Sequence, residues 1–378
     1  MGAGIQGGEF GLIGRIRRRV GRPGGRVVLG IGDDAAVLQP PGGNLLASID
    51  MLVEGIHFDK RIITPWQLGW KALAVNVSDI AAMGGMPLYA LVSIGLNEHV
   101  DDAYVDGIYD GMLAVARRFG VEIVGGDTVR SPRALVIDVA IIGQADAPVT
   151  RSGAQPGDLI AVTGCLGASA GGLEWLLHGR RAGQLVETEV ARGWESHPRA
   201  RPTEDAKTAE HSRPEVLRSS SEEPRPSWVQ ELIQAHLEPV PRVLEGTGLA
   251  RSGAVTAMMD ISDGLASEVN HIAEESGVGA LVYAADIPIS EATLAVARAL
   301  GRDPLGWALF GGEDYELVFT FPRDRLEVVY QALVSLGGRP HIVGEVVPSE
   351  KGVKLVPPDG EARVLPPAGY NHFAVPAS

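Results

Sequence analysis

The sequence predicts an α/β protein of two mixed domains, and three observations carry that prediction. Its 378 residues exceed a single ordinary domain of about 150 residues. Short apolar runs alternate with segments of helical spacing along most of the chain. Its 49 glycines exceed the usual share of about 7%, as a fold with many tight turns and close backbone approaches requires.

In the first half, "RVVLGIG", "NLLASIDMLV", "YALVSIGL", "VEIVGG" and "ALVIDVAIIG" read as strands. Between them, "PWQLGWKALAVNVSDIAAMG" and "DDAYVDGIYDGMLAVARRFG" carry apolar residues at helical spacing. The second of these has acidic residues in its first turn and Arg117 and Arg118 near its end, as the helix dipole favours. A second series runs through "DLIAVTG", "VTAMMDIS", "GALVYAADI", "YELVFTF" and "HIVGEVV". The boundary falls near "ADAPVTRSGAQPGD", giving domains at 1–147 and 148–378. Residues 179–227, rich in Pro, Ser and mixed charge, read as a solvated, poorly ordered insertion without chemistry. Regular structure resumes with the amphipathic "WVQELIQAHL", stopped by Pro239 and Pro241.

Hydrophobic residues at 45% and charged residues at 21% indicate a soluble globular protein with a substantial core. The formal net charge of −14 repels nucleic acid and anionic lipid, so neither is expected as a partner. A polyanionic substrate is still admissible where bound cations reverse the local sign. The single cysteine, Cys165, rules out an internal disulfide or a Cys-based zinc site and fits a reducing cytoplasm. No apolar run is long enough to span a membrane, and the N-terminus lacks the order of a signal peptide.

Chemistry concentrates in carboxylates at turns and strand ends. They are Asp33 and Asp34 in "GIGDDAAVL", Asp50 in "ASIDMLVEGIHF", Asp79 in "NVSDIAAMGG", Asp127 in "VGGDTVRS", Asp260 and Asp263 in "MDISDGLA", and Glu313 and Asp314 in "FGGEDYELVF". Each alone has a structural reading as a turn residue or helix cap. Together they lie in apolar or Gly-rich surroundings with few Lys or Arg nearby, and buried anions without partners call for a cation. Oxygen-only ligands favour Mg²⁺ over Zn²⁺, and Mg²⁺ held by a few carboxylates keeps positions for substrate phosphates. Phosphoryl chemistry follows as the leading class. No P-loop and no protein-kinase motif set is present, and "GIGDDA" is too soon followed by prolines to open a dinucleotide fold.

These motifs, in order with "GEFGLI", "TRSGAQPGD" and "GYNHF", make the chain resemble the thiamine-monophosphate kinase family. That family sits in the ATP-binding superfamily of aminoimidazole ribonucleotide synthetase. The resemblance spans nearly the whole chain except the insertion. It implies a two-domain aminoimidazole ribonucleotide synthetase-like fold, with the N-terminal sheet pairing with a second subunit in a barrel-like homodimer. It also implies Mg²⁺-dependent transfer of the ATP γ-phosphate to thiamine monophosphate. On this resemblance Asp33, Asp34, Asp50, Asp79, Asp127, Asp260 and Asp263 are metal ligands, with Ser48 a helper. Tyr109, Gly126, Asp127, Arg151 and Ser262 meet ATP, and His57, Glu313 and Tyr370 meet thiamine monophosphate. Asp314 is read as orienting its loop. The acceptor is already largely anionic at neutral pH, so no general base is expected. Two rivals remain: another synthetase of the same superfamily, or a protein that binds ATP–Mg²⁺ without turnover.

Overall fold

The computed structural model describes residues 8–21, 26–31, 36–39, 42–181 and 226–368. Asp33, Asp34, Tyr370 and nearly all of the 179–227 insertion therefore lie outside the described residues. In the first half the order is α1 (Gly8–Val20), β1 (Val27–Leu29), β2 (Val37–Leu38), β3 (Asn44–Val53), α2 (Pro65–Ala82), β4 (Met86–Leu96), α3 (Asp102–Phe119), β5 (Glu122–Arg130) and β6 (Val136–Ala145). A four-stranded sheet in the order β3-β6-β4-β5 carries this half, antiparallel except for the β4–β5 pair.

Helix α2 starts where the sequence provides a capping box. The Thr64 hydroxyl accepts from the Gln67 amide, and the Gln67 side chain accepts from the Thr64 amide, with Pro65 in the first turn. Asp101 caps α3, and Gly120 ends it in the left-handed conformation. The two helices pack so closely that a Cβ on Gly69 would sit 1.8 Å from the Ile108 carbonyl oxygen. Together they cover one face of the sheet and build the larger core.

The second half runs β7 (Leu159–Val162), α4 (Ala168–Arg181), α5 (Ser227–Leu237), α6 (Val243–Ser252), β8 (Ala257–Asp260), α7 (Leu265–Ser276), β9 (Gly279–Tyr283), α8 (Glu291–Leu300), α9 (Pro304–Phe310), β10 (Leu317–Phe321), α10 (Leu326–Val334), β11 (His341–Val347), β12 (Val353–Val356) and β13 (Arg363–Val364). Its seven strands order as β13-β12-β9-β11-β7-β10-β8, mixed through one parallel pair, β12 with β9. Helix α5 ends at Leu237, just before the two prolines.

Helix α2 is the seam between the halves. Leu176, Leu237 and Val243 join the core that α2 builds, and the Trp70 indole donates to the Pro239 carbonyl at 2.8 Å. Lys71, Val75 and Asp79 recur every four residues on this helix and line one large cavity. Among the described residues no helix is long and apolar enough to cross a membrane.

Candidate active site

The cavity has a volume of about 1280 Å³ and lies where β3 and its following loop, α2, α4, and the loops after β8 and α9 converge. Its two ends differ in chemistry.

One end is a group of aspartates contributed by both halves. Asp50 stands on β3, Asp79 on α2, Asp260 at the end of β8 and Asp263 in the turn after it. Hydroxyls rather than cations hold two of them. Ser48 Oγ donates to Asp79 Oδ2 at 2.5 Å, and Ser78 Oγ donates to Asp260 Oδ2 at 2.6 Å. The Asp50 amide donates to Asn76 Oδ1 at 3.0 Å, which ties β3 to α2.

Burial raises the Asp79 carboxyl to about 7, helped by the charge of Asp260. Burial raises Asp50 to about 6, with Asp79, Asp138 and Asp263 adding repulsion. Asp260 reaches about 6, burial outweighing the Ser78 hydrogen bond. The Arg151 guanidinium opposes the rise at Asp79 and Asp260. Carboxylates that repel one another in a low-dielectric cavity could hold a hard cation. Among the described residues, no three carboxylate, imidazole or thiol groups close into a metal cage. An oxygen-only donor set of this kind could hold a hard cation that completes its shell with water and substrate oxygens.

The turn joining β8 to α7 answers a question the sequence left open. Neither Ser262 nor Asp263 caps the helix: the N-cap is Gly264, at φ 109°, and no side chain makes a capping hydrogen bond. The helix-cap reading of Asp263 is thus corrected: the chain turns at Gly264, whose positive φ favours glycine, and α7 starts after it. Both side chains line the cavity instead.

At the other end, Glu313 is already paired. Lys71 Nζ lies 2.8 Å from Glu313 Oε1, and His236 Nδ1 lies 3.3 Å from Oε2. Ser169 Oγ is 3.0 Å from the same His236 nitrogen. Lys71 is 1% exposed, and its charge holds the Glu313 carboxyl below the ordinary range against the effect of burial. Burial and Lys71 together lower His236 to about 3, so its ring is neutral. Glu313 and Tyr315 adopt left-handed backbone, at φ 64° and 52°, a costly conformation for residues with side chains. Their loop is held by the Glu313 amide on the Ser262 carbonyl at 2.7 Å and the Tyr315 amide on the Ile261 carbonyl at 2.9 Å. Asp314 accepts from the Gly167 and Ser169 amides at 2.7 and 3.2 Å, anchoring the loop to the start of α4. His57 Nδ1 accepts from the Val53 amide at 3.0 Å. The ring proton is therefore on Nε2, as a donor.

The remaining residues are placed elsewhere. Strand register aligns Asp127 with Ser93, and Ser93 with Asp138, which in turn pairs with Met51. Asp50, one residue from Met51, points to the opposite face. Asp127 therefore stands across the sheet from Asp50, and its Oδ1 accepts from the Thr128 amide at 2.8 Å. Gly126, at φ 150°, has no room for a side chain, since a Cβ would meet the Val92 carbonyl at 1.8 Å. Strand packing thus requires that glycine independently of any ligand. Tyr109 is 3% exposed within the core of the first half and does not line the cavity. Arg151 is exposed in the link between the halves.

With this geometry in view, comparison with known proteins is decisive. Residues 32–145 match the AIR synthase related protein N-terminal domain, and residues 210–356 match the C-terminal domain. Thiamine-monophosphate kinase from Escherichia coli (strain K12) is 36% identical over 371 residues, covering 98% of this chain and 99% of the relative. The chain belongs to the thiamine-monophosphate kinase family. Solved structures of the family superpose on it. The enzyme from Stenotrophomonas maltophilia K279a gives a TM-score of 0.71 at 34% identity, covering 93% of this chain and 96% of that one. A complex with AMPPCP and TMP gives a TM-score of 0.69 at 33% identity, covering 97% of each.

Within this thiamine-monophosphate kinase family member, sequence reasoning missed Lys71, Ser78, Ser169, His236 and Glu268. Lys71 carried a visible signal, a lone charge in the apolar helix "GWKALAV". Ser78, Ser169 and His236 pair with residues far along the chain and leave no local mark, whereas Glu268 bonds to the turn just before its own helix.

Proposed function

We propose that this chain transfers the γ-phosphoryl group of ATP to thiamine monophosphate, giving ADP and thiamine diphosphate, with Mg²⁺ bound at the aspartate end. The observation that carries this reading is the two-ended cavity, with a group of aspartates from both halves at one end and a Glu313 paired with Lys71 at the other. Family membership supplies the substrate class.

Asp50, Asp79, Asp260 and Asp263 would hold the metal, with Ser48 and Ser78 orienting two of them. Asp33, Asp34 and Asp127 remain proposed ligands by resemblance. Bound Mg²⁺ would supply charge neutralisation between the anionic donor and the anionic acceptor. Arg151, close enough to act on Asp79 and Asp260, adds positive charge for a phosphate. Ser262 presents a hydroxyl to the nucleotide phosphates. Tyr109 and Gly126 would shape the nucleotide's surroundings from within the first half rather than by lining the cavity. His57 offers a fixed Nε2–H donor at the acceptor end. Glu313 gives that end a fixed carboxylate, and Tyr370 is proposed to complete it. No general base is required, because the acceptor phosphate, with a second pKa of about 6, is ionised at neutral pH.

The face of the first sheet left open by α2 and α3 presents Leu45 (60% exposed), Ile49 (60%) and Met51 (52%). An apolar sheet face of this kind supports a homodimer formed through the two sheets. The formal net charge of −14 argues against nucleic acid and membranes as partners.

The purified protein is expected to convert ATP to ADP only when thiamine monophosphate and Mg²⁺ are both present. Phosphorylation of free thiamine in place of the monophosphate would overturn the reading.

A further inference from the structure

We propose that Glu268 is a positioning residue for the nucleotide end of the site, acting through the backbone of Ser262 and Asp263. It stands in the first turn of α7 and is 1% exposed. Its Oε1 accepts from the Ser262 amide at 3.0 Å and from the Asp263 amide at 2.7 Å. Two successive amides converging on one oxygen make an anion-binding concavity of the kind that elsewhere receives phosphate. Here the chain's own carboxylate fills it. Phosphate oxygens entering the cavity therefore meet the Ser262 hydroxyl, not these amides.

The opposite edge of the turn is tied down separately. The Ser262 carbonyl accepts from the Glu313 amide at 2.7 Å, and the Ile261 amide donates to the Glu316 carbonyl at 2.7 Å. The turn has no side-chain cap of its own. Glu268 thus supplies the bond that sets how Ser262 and Asp263 face the cavity. Its Oε2 is buried and makes no hydrogen bond, so the Oε1 contacts to the turn are the specific feature of this side chain.

The inference rests on the proposed kinase function, and one experiment separates the two. Calorimetric titration with a non-hydrolysable ATP analogue and Mg²⁺ is paired with steady-state kinetics in thiamine monophosphate. E268A is expected to weaken nucleotide binding by roughly 30-fold, the scale of two amides losing their acceptor. The KM for thiamine monophosphate should stay within about threefold, since Lys71 holds the Glu313 carboxylate and Asp314 ties its loop to α4, neither through Glu268. E268Q retains an acceptor oxygen and is expected to stay within about fivefold of wild type. Should E268A fail to fold, E268L fills the same space without an acceptor and carries the same expectation. A folded E268A or E268L that binds the analogue like wild type overturns the proposal, as does E268Q impaired as badly as E268A. Wild type that binds the analogue without phosphorylating thiamine monophosphate would sink the kinase reading alone. Wild type that does not bind the analogue overturns both.

Discussion

The two ends of the cavity use the same residue type in opposite ways. At one end Asp50, Asp79 and Asp260 have hydroxyl, amide and like-charged neighbours, and burial pushes their carboxyls up to about 6–7. At the other, burial also acts on Glu313, yet Lys71 at 2.8 Å holds its carboxyl down. A buried carboxylate that brings its own cation is an architectural part. One that does not is a demand for a cation from solution. The contrast separates a carboxylate neutralised within the fold from carboxylates whose neighbours are hydroxyls and like charges.

The largest expected effect comes from removing charge at the aspartate end. Asp260→Asn is expected to lower kcat on the order of 10³-fold, the scale of losing charge stabilisation in phosphoryl transfer. Its thermal midpoint should not fall, because repulsion with Asp50 is relieved. A variant that loses activity by unfolding, seen by circular dichroism, would move Asp260 to the structural side of the comparison.

Breaking the paired end should do the reverse. Lys71→Met leaves Glu313 without its cation and is expected to cost about 2–3 kcal/mol of stability. That lies below the figure of about 3–5 for a fully buried pair, because 30% of the Glu313 side chain is exposed. Adding Glu313→Gln should recover most of the loss in denaturant melts. A double variant no more stable than Lys71→Met would show that the pair is not what Lys71 provides.

The smallest effect sharpens the comparison through pH. Asp79, Asp260 and Asp314 have folded values of about 7, 6 and 7, above the ordinary 3.8. Folding therefore takes up protons. Their contribution to stability is full below about 4 and is lost as pH rises through about 7. Metal-free protein is expected to melt lower at pH 8 than at pH 5. Mg²⁺ should raise the midpoint more at pH 8, where the aspartates are ionised. An equal Mg²⁺ shift at both pH values would argue that the metal binds elsewhere.

How far each feature could be read in advance depended on the range of the interaction behind it. Strand β3 occupies the same residues, Asn44–Val53, that the apolar run marked. Helix α2 begins at the Thr64–Gln67 capping box and α3 ends at Gly120, all local signals. The aspartates stood out because local sequence offered them no cation. Their grouping was a different matter. Asp50 and Asp127 look alike in sequence, yet a strand's side chains alternate between faces, so register alone puts them on opposite sides of the sheet. In "MDISDGL", local preferences favoured a helix cap, whereas the fold caps α7 with Gly264 and gives the turn's amides to Glu268.

By itself, then, the sequence determined the main strands, helices α2 and α3 and the family, since periodicity, capping and ordered motifs are properties of neighbours along a chain. Only the tertiary structure decided which carboxylates are matched. Lys71 reaches Glu313 and Ser78 reaches Asp260 because α2 packs between the two halves, and no local pattern encodes a contact made across that seam.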